Sequence, residues 1–292
     1  VSHFVVLTGP LVPEDAVAGV AAAIDGLGIG FDSPHRIAET AVEIACEDPP
    51  PVRSVRATLS GLAIDANVIA AAGRRKPVLV ADMDSTIINV ECIDELADFA
   101  GLKSKVSQIT DAAMNGEIDF DTALRERVRL LRGLSEDVLD RVWNERIQLN
   151  DGARALVRSM RAQGAQCWLV SGGFTVFTRR VARACGFTGH RANELEFEDG
   201  KLTGNIVEPI LGRAAKLETL REVTQSIGEL DDAALAVGDG ANDLDMIREA
   251  GLGVAFRAKP AVAEAADADI RHGDLTALLH LQGYSDEEVL MA

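Results

Sequence analysis

The sequence predicts an α/β protein: a Rossmann-like parallel sheet carrying a helical cap insertion, preceded by a small N-terminal α/β unit. Three observations lead there. Short continuous apolar runs stand at Val78–Ala81, Cys167–Val170, Leu235–Val237 and Gly251–Phe256, with helical stretches between them. Strands buried on both faces read this way, and their alternation with helices means a parallel sheet. Residues 93–150 carry helical periodicity and no strand signal, which makes them an insertion after the first strand. Residues 1–76 show short alternating strands and two amphipathic helices instead.

In the N-terminal unit, Phe4–Leu7 reads as a strand. Val17, Val20, Ile24 and Leu27 recur at helical spacing after a start at Pro13-Glu14-Asp15. Val42, Ile44 and Cys46 alternate with Glu43, Ala45 and Glu47, a half-buried strand. Val52, Val55, Leu59 and Leu62 give a second helix, and Ile64, Ala66 and Val68 a last strand. The expected order is βαβαβ, with three strands. Gly73-Arg74-Arg75-Lys76-Pro77 reads as a linker to a second unit over residues 77–292, whose cap spans about residues 90–150. Glu194–Val207 reads as a hairpin with Asp199-Gly200 at its turn.

Lys and Arg total 29 against 46 Asp and Glu, a formal net charge of −17. So acidic a chain repels phosphate backbones and anionic lipid, which excludes nucleic acid and membrane as partners. No apolar run reaches the ~18 residues of a membrane span, and no signal-peptide pattern opens the chain. The four cysteines, Cys46, Cys92, Cys167 and Cys185, form no metal-ligand spacing and read as buried thiols of a reducing compartment. The expected location is the cytoplasm.

In parallel sheets of this kind, ligands bind beyond the carboxyl ends of the strands. There the sequence places Asp82-Met83-Asp84-Ser85-Thr86, Ser171-Gly172-Gly173 and Gly238-Asp239-Gly240-Ala241-Asn242-Asp243. Each is an ordinary turn composition by itself; all three at successive strand ends are not. Carboxylates from separate strands repel unless a cation sits among them, and all-oxygen ligation without His or Cys fits Mg²⁺ best. Ser171 offers a hydroxyl, and Gly172 and Gly173 offer unscreened backbone N–H groups, so the ligand is an anion that also meets the metal: a phosphate. Carboxylates at i and i+2 divide the work, one attacking phosphorus and the other handling the leaving-group proton. Lys216, in the first turn of a helix opened by Gly212, is either a solvated lysine or the cation that completes the site.

As a set these motifs resemble the haloacid dehalogenase superfamily of aspartyl-phosphate phosphatases, over roughly residues 77–275. The resemblance implies Asp82 as nucleophile and Asp84 as general acid and then base. It implies Mg²⁺ held by Asp82, Asp239 and the backbone carbonyl of Asp84. It also implies Ser171, Gly172 and Lys216 on the phosphoryl oxygens, with Asn242 and Asp243 supporting the phosphate and the metal's waters.

The cap should set substrate choice. Helical projection of Phe120–Leu134 puts Phe120, Leu124, Val128, Leu131 and Leu134 on one stripe. Arg127 lies in it too, about 20° from Phe120 at 100° per residue, while Arg125 and Arg129 face the other way. A guanidinium among apolar residues needs an anion, either a cap carboxylate or a substrate carboxylate. Glu91, at the sheet-to-cap junction, is either a solvated helix-start residue or a partner for a substrate ammonium. Phosphate, carboxylate and ammonium together describe phosphoserine. The Asp82–Thr86 segment, Glu91, Met114, Phe120 and Arg127 resemble the phosphoserine phosphatase branch, which implies Met114, Phe120 and Gly173 around the substrate and a role ending serine biosynthesis. Without that resemblance Met114 and Phe120 read equally well as cap core. The N-terminal unit resembles ACT-type regulatory domains but departs from them in its three strands, and is expected to serve packing or homodimerisation. Two other readings stand beside this one: a sister enzyme acting on another small phosphomonoester or transferring the phosphoryl group, and an amino-acid sensor working through the N-terminal unit.

Overall fold

A computed structural model describes residues 1–114 and 117–290; the side chains of Asp111 and Met114 lie outside that description. The N-terminal unit runs β1 (His3–Thr8), α1 (Glu14–Gly26), β2 (His35–Ala38), β3 (Ala41–Cys46), α2 (Val52–Thr58) and β4 (Asp65–Ala70). Its antiparallel sheet has the order β2-β3-β1-β4. This corrects the three-strand expectation, since the order is βαββαβ. The missed strand, β2, is four residues long, begins with exposed His35 and Arg36, and pairs with β3 through a register shift, so no alternation marks it. The second helix also ends sooner than its spacing suggests, at Thr58, and Leu62 is exposed.

Alternation along β1 divides its side chains between two cores. Val5 and Leu7 pack with Val17, Val20 and Ile24 of α1, while Val6 joins the core of the larger unit. The sheet is therefore covered on both faces.

The larger unit begins with β5 (Val78–Ala81) and enters the cap: α3 (Cys92–Phe99), α4 (Lys103–Met114), α5 (Phe120–Leu130) and α6 (Glu136–Glu145). It continues through α7 (Ala153–Ala162), β6 (Gln166–Phe174), α8 (Thr175–Cys185), β7 (Gly189–Glu198), β8 (Lys201–Val207) and α9 (Arg213–Ser226). β9 (Ala234–Gly238), α10 (Leu244–Glu249), β10 (Leu252–Phe256), α11 (Pro260–Ala265), β11 (Ala268–Ile270) and α12 (Ala277–Leu281) complete it. The sheet order is β11-β10-β9-β5-β6-β7-β8, parallel except for the β7–β8 hairpin. Asp199 (φ 49°) and Gly200 (φ 72°) turn that hairpin in the left-handed conformations a two-residue loop requires. Leu79 and Ala81 face one core, Val78 and Val80 the other, which is why the run is unbroken in sequence. From β5 the chain moves first to β6 and β7, later to β9, β10 and β11 on the other side, so β5 and β9 flank the switch point where ligands bind.

The cap leaves and returns over two short crossings that bridge at Ile88 and Leu149. Asn150 Nδ2 donates to Thr86 O at 2.8 Å and Ile88 O at 3.2 Å, and Gln148 N–H donates to Asn89 Oδ1 at 2.8 Å. Within the expected linker, Gly73 and Arg75 are exposed, while the Arg74 side chain is largely covered and bonds to both sides. Arg74 donates to Glu43 Oε2 (2.8 Å), Leu281 O (2.7 Å) and His280 O (3.1 Å), and lies 4.1 Å over the ring of Phe4. Where the two sheets meet edge to edge, Asn67 Nδ2 donates to Asp269 O at 3.2 Å and Asn67 Oδ1 accepts from Asp269 N–H at 2.9 Å. Asp65 collects the N–H groups of Arg271, His272 and Gly273.

All four cysteines are free and buried. Among the described residues no helix is long and apolar enough to cross a membrane.

Candidate active site

The site forms where β5, β6 and β9 end. Asp82 Oδ1 accepts from Met83 N–H at 2.8 Å and lies 2.7 Å from Lys216 Nζ. Both contacts fall on one oxygen, so Oδ2 has no hydrogen-bond partner among the described residues. The chain then makes one wide turn over Met83–Ile87, closed by Ile88 N–H on Met83 O, with Ser85 in a left-handed conformation (φ 56°). This turn sets Asp84 beside the end of β6. Asp84 Oδ2 accepts from Ser171 Oγ at 3.0 Å, and Oδ1 from Cys92 N–H at 2.9 Å. Gly173 N–H donates to Ser171 Oγ at 2.8 Å. A Cβ on Gly173 would stand 2.8 Å from Asp84 Oδ2 and 3.0 Å from Ser171 Oγ, so only glycine fits there.

β9 delivers the acidic loop. Asp243 Oδ2 accepts from Asp239 N–H at 3.2 Å and Gly240 N–H at 3.0 Å, while its Oδ1 lies 2.5 Å from Lys216 Nζ. With both oxygens occupied, Asp243 shapes the loop. Lys216, in the first turn of α9, is 2% exposed and joins Asp82 to Asp243. Asn242 is exposed on the same loop and makes no side-chain hydrogen bond among the described residues. Ligand oxygens of Asp82, Asp239 and Asp243 lie within 4.8 Å of one another, a set that fits a hard divalent cation.

The charges are strained by this crowding. Burial, then the neighbouring Asp243, pushes Asp82 well above the usual carboxylate range. Burial raises Asp84 as well, against the pull of Cys92 and Ser171. Burial and the Asp243 charge raise Asp239 to about 6. Burial alone would lower Lys216, but Asp243 and Asp82 outweigh it and hold the ammonium above the ordinary lysine range. A buried cluster with more carboxylates than cations is what a bound metal ion would relieve.

On the cap side, Arg127 is half-buried, and among the described residues its side chain bonds Ala123 O alone, at 3.2 Å through Nε. Burial lowers it, with Asp94 and Glu91 opposing. No carboxylate among the described residues lies within ion-pair distance of it. Glu91 Oε1 accepts from Ser85 Oγ at 2.7 Å. The residue keeps an exposed surface, and desolvation of its carboxyl, followed by the Asp84 charge, raises it to about 7. Phe120 does not join the buried stripe of α5: it is 37% exposed. Its ring lies over Gly172 and Gly212, where a Cβ would meet it at 3.3 and 3.5 Å. The expectation for the Met114 side chain lies outside the described residues.

Sequence reasoning missed the partners that hold these groups. Cys92 N–H fixes Asp84, and Thr86 Oγ1 lies 3.4 Å from Asp239 Oδ1. Asn193, 1% exposed on β7, bonds both Gly172 and Leu211. Thr86 was inside the Asp82–Thr86 segment; Asn193 has no local signal, because its partners are brought to it only by the fold.

The haloacid dehalogenase-like hydrolase family matches residues 79–248. A phosphoserine phosphatase of Streptomyces coelicolor is 42% identical over 292 residues, covering 97% of this chain and 71% of that one. Among solved structures, a probable phosphoserine phosphatase of Vibrio cholerae superposes with a TM-score of 0.81 at 29% identity, over 98% of this chain and 88% of that one. A phospho-aspartyl intermediate analogue of a phosphoserine phosphatase superposes with a TM-score of 0.65 at 37% identity, over 70% of this chain and 98% of that one.

Proposed function

Since the chain belongs to the haloacid dehalogenase-like hydrolase family and to its phosphoserine phosphatase branch, we propose that it hydrolyses O-phospho-L-serine to serine and phosphate through a phosphoryl group carried on Asp82. The observation that carries this reading is the Asp82 carboxylate, with Oδ1 held by Lys216 and Met83 N–H and Oδ2 without a hydrogen-bond partner among the described residues.

Asp82 Oδ2 attacks phosphorus, and the bond from phosphorus to the serine oxygen breaks. Asp84, whose raised affinity for protons suits a general acid, delivers its proton to the departing alkoxide. Asp84, now a base, takes a proton from the water that attacks the aspartyl phosphate. The bond from phosphorus to Asp82 Oδ2 breaks, and phosphate leaves. Lys216, Ser171 Oγ and Gly173 N–H neutralise and orient the phosphoryl oxygens, which is most of what phosphoryl transfer needs. Asp82 and Asp239, whose carboxylate oxygens lie in one cluster, would hold Mg²⁺ together with the Asp84 carbonyl that the family resemblance implies, and the ion would supply charge neutralisation at the phosphoryl group. Arg127 binds the substrate carboxylate and Glu91 its ammonium. Phe120 covers the phosphate end of the cleft from above Gly172.

The test is phosphate release from L-phosphoserine and a panel of other phosphomonoesters, with Mg²⁺ and with EDTA. Mg²⁺-dependent release selective for phosphoserine is expected. Release from other esters alone would keep the Asp82 chemistry and overturn the roles of Arg127 and Glu91.

A further inference from the structure

β6 and β7 pair in parallel, Trp168 to Val170 against Gly189 to Arg191, and pair again only at Phe174 and Asn193. Between these points β6 places Ser171, Gly172 and Gly173 opposite Ala192 alone, so the ladder is interrupted where the phosphate-binding segment lies. The Asn193 side chain bridges the gap. Its Nδ2 donates to Gly172 O at 2.9 Å and to Leu211 O at 3.1 Å, and its Oδ1 accepts from Leu211 N–H at 2.7 Å. The amide is buried, so water cannot replace these bonds.

In a trans peptide the carbonyl of one residue and the N–H of the next point in opposite directions. Asn193, by drawing Gly172 O toward β7, turns Gly173 N–H the other way, onto Ser171 Oγ and the Asp84 side of the cleft. The two bonds to Leu211 meanwhile fix the residue just before Gly212, the N-cap of the helix that carries Lys216. One side chain thus ties together the two segments that carry Gly173 N–H and Lys216. Two donors and one acceptor at this reach are what asparagine supplies; aspartate keeps the acceptor and loses both donors.

We infer that Asn193 is a positioning residue for the phosphoryl-binding cradle, aiming Gly173 N–H and registering it against Lys216. This rests on the proposed phosphatase reading. The experiment compares wild type with Asn193→Asp and Asn193→Ala. It measures inhibition by inorganic phosphate, and kcat/KM on L-phosphoserine and on p-nitrophenyl phosphate, in variants whose fold is checked by circular dichroism. The expected result is a phosphate inhibition constant raised about tenfold or more, with kcat/KM lowered by a similar factor on both substrates. Folded variants with a phosphate constant within about twofold of wild type overturn the inference, as does a loss confined to phosphoserine. Asn193→Asp, nearly isosteric, carries the test where Asn193→Ala does not fold. In wild type, phosphate titration followed by NMR should shift the Gly173 amide and the Asn193 side-chain amide together; movement of Gly173 alone overturns the coupling. Wild-type protein that hydrolyses neither ester removes the phosphatase reading and this inference with it, whereas active wild type with unaffected variants removes only the inference.

Discussion

Lys216 Nζ lies 2.7 Å from Asp82 Oδ1, so the proposed nucleophile is paired through one oxygen with a buried ammonium before any substrate arrives. Asp82→Asn keeps the shape and removes the attacking oxygen anion. Turnover should fall by roughly 10⁴-fold or more, in line with the loss of other covalent nucleophiles. The melting temperature should hold, because the variant removes a carboxylate that burial already disfavours. Steady-state phosphate release beside a thermal melt checks both; near-normal turnover would sink the covalent route.

Arg127→Ala should separate substrates. A charge-assisted bond to the phosphoserine carboxylate is worth about 1.5–3 kcal/mol, or roughly 10- to 150-fold in kcat/KM. An aryl phosphate without a carboxylate should lose far less. Equal losses on the two esters would assign Arg127 to cap structure.

Desolvation and then the Asp84 charge push the Glu91 carboxyl up to about 7. Below that pH it is neutral and pairs poorly with an ammonium; above it the carboxylate is available. The ratio of kcat/KM for phosphoserine to that for an aryl phosphate should therefore climb as pH rises through about 7, and Glu91→Gln should flatten it. Stability runs the opposite way. The folded value exceeds the ordinary 4.5, so the native state holds more protons between 4.5 and 7 and the contribution is lost as pH rises through that window. A ratio independent of pH in the wild type would detach Glu91 from substrate binding.

Removal of divalent metal should abolish phosphate release, and Mg²⁺ should restore it. Because Asp82, Asp239 and Asp243 crowd their charges within 4.8 Å, added Mg²⁺ should also raise the melting temperature. Saturation at 100 times Kd corresponds to about 2.7 kcal/mol, a shift of several degrees. Asp239→Asn should lose that shift. A melt insensitive to Mg²⁺ would count against a metal at this cluster.

The strands that carry the site were legible because burial on both faces leaves runs such as Val78–Ala81 unbroken. Asp82 and Asp239 were legible because each directly follows its strand, whereas Ser171-Gly172-Gly173, expected as a loop, lies inside β6 where its pairing with β7 is interrupted. What stayed hidden was short or long-range. β2 opens with two exposed residues, and β11 has only three residues, too few for a period to register. Phe120 fits the apolar stripe of α5 by angle, yet it lies against Gly172 and Gly212 across the cleft, a contact no projection of a single helix contains. Asn193 is a lone asparagine in a strand until Gly172 and Leu211 are folded against it.

The hydrogen bonds of Asn67 have a consequence for any shortened form of the chain. They occupy the N–H and carbonyl of Asp269, the backbone groups through which an outside strand would extend the large sheet at β11. The N-terminal unit therefore covers the border at which strand addition to the large sheet would occur. Deleting residues 1–76 would open that border and uncover the α12 surface on which Arg74 and β1 rest. The truncated protein should fail first by concentration-dependent self-association, while molecules that escape it retain every group proposed to bind phosphate.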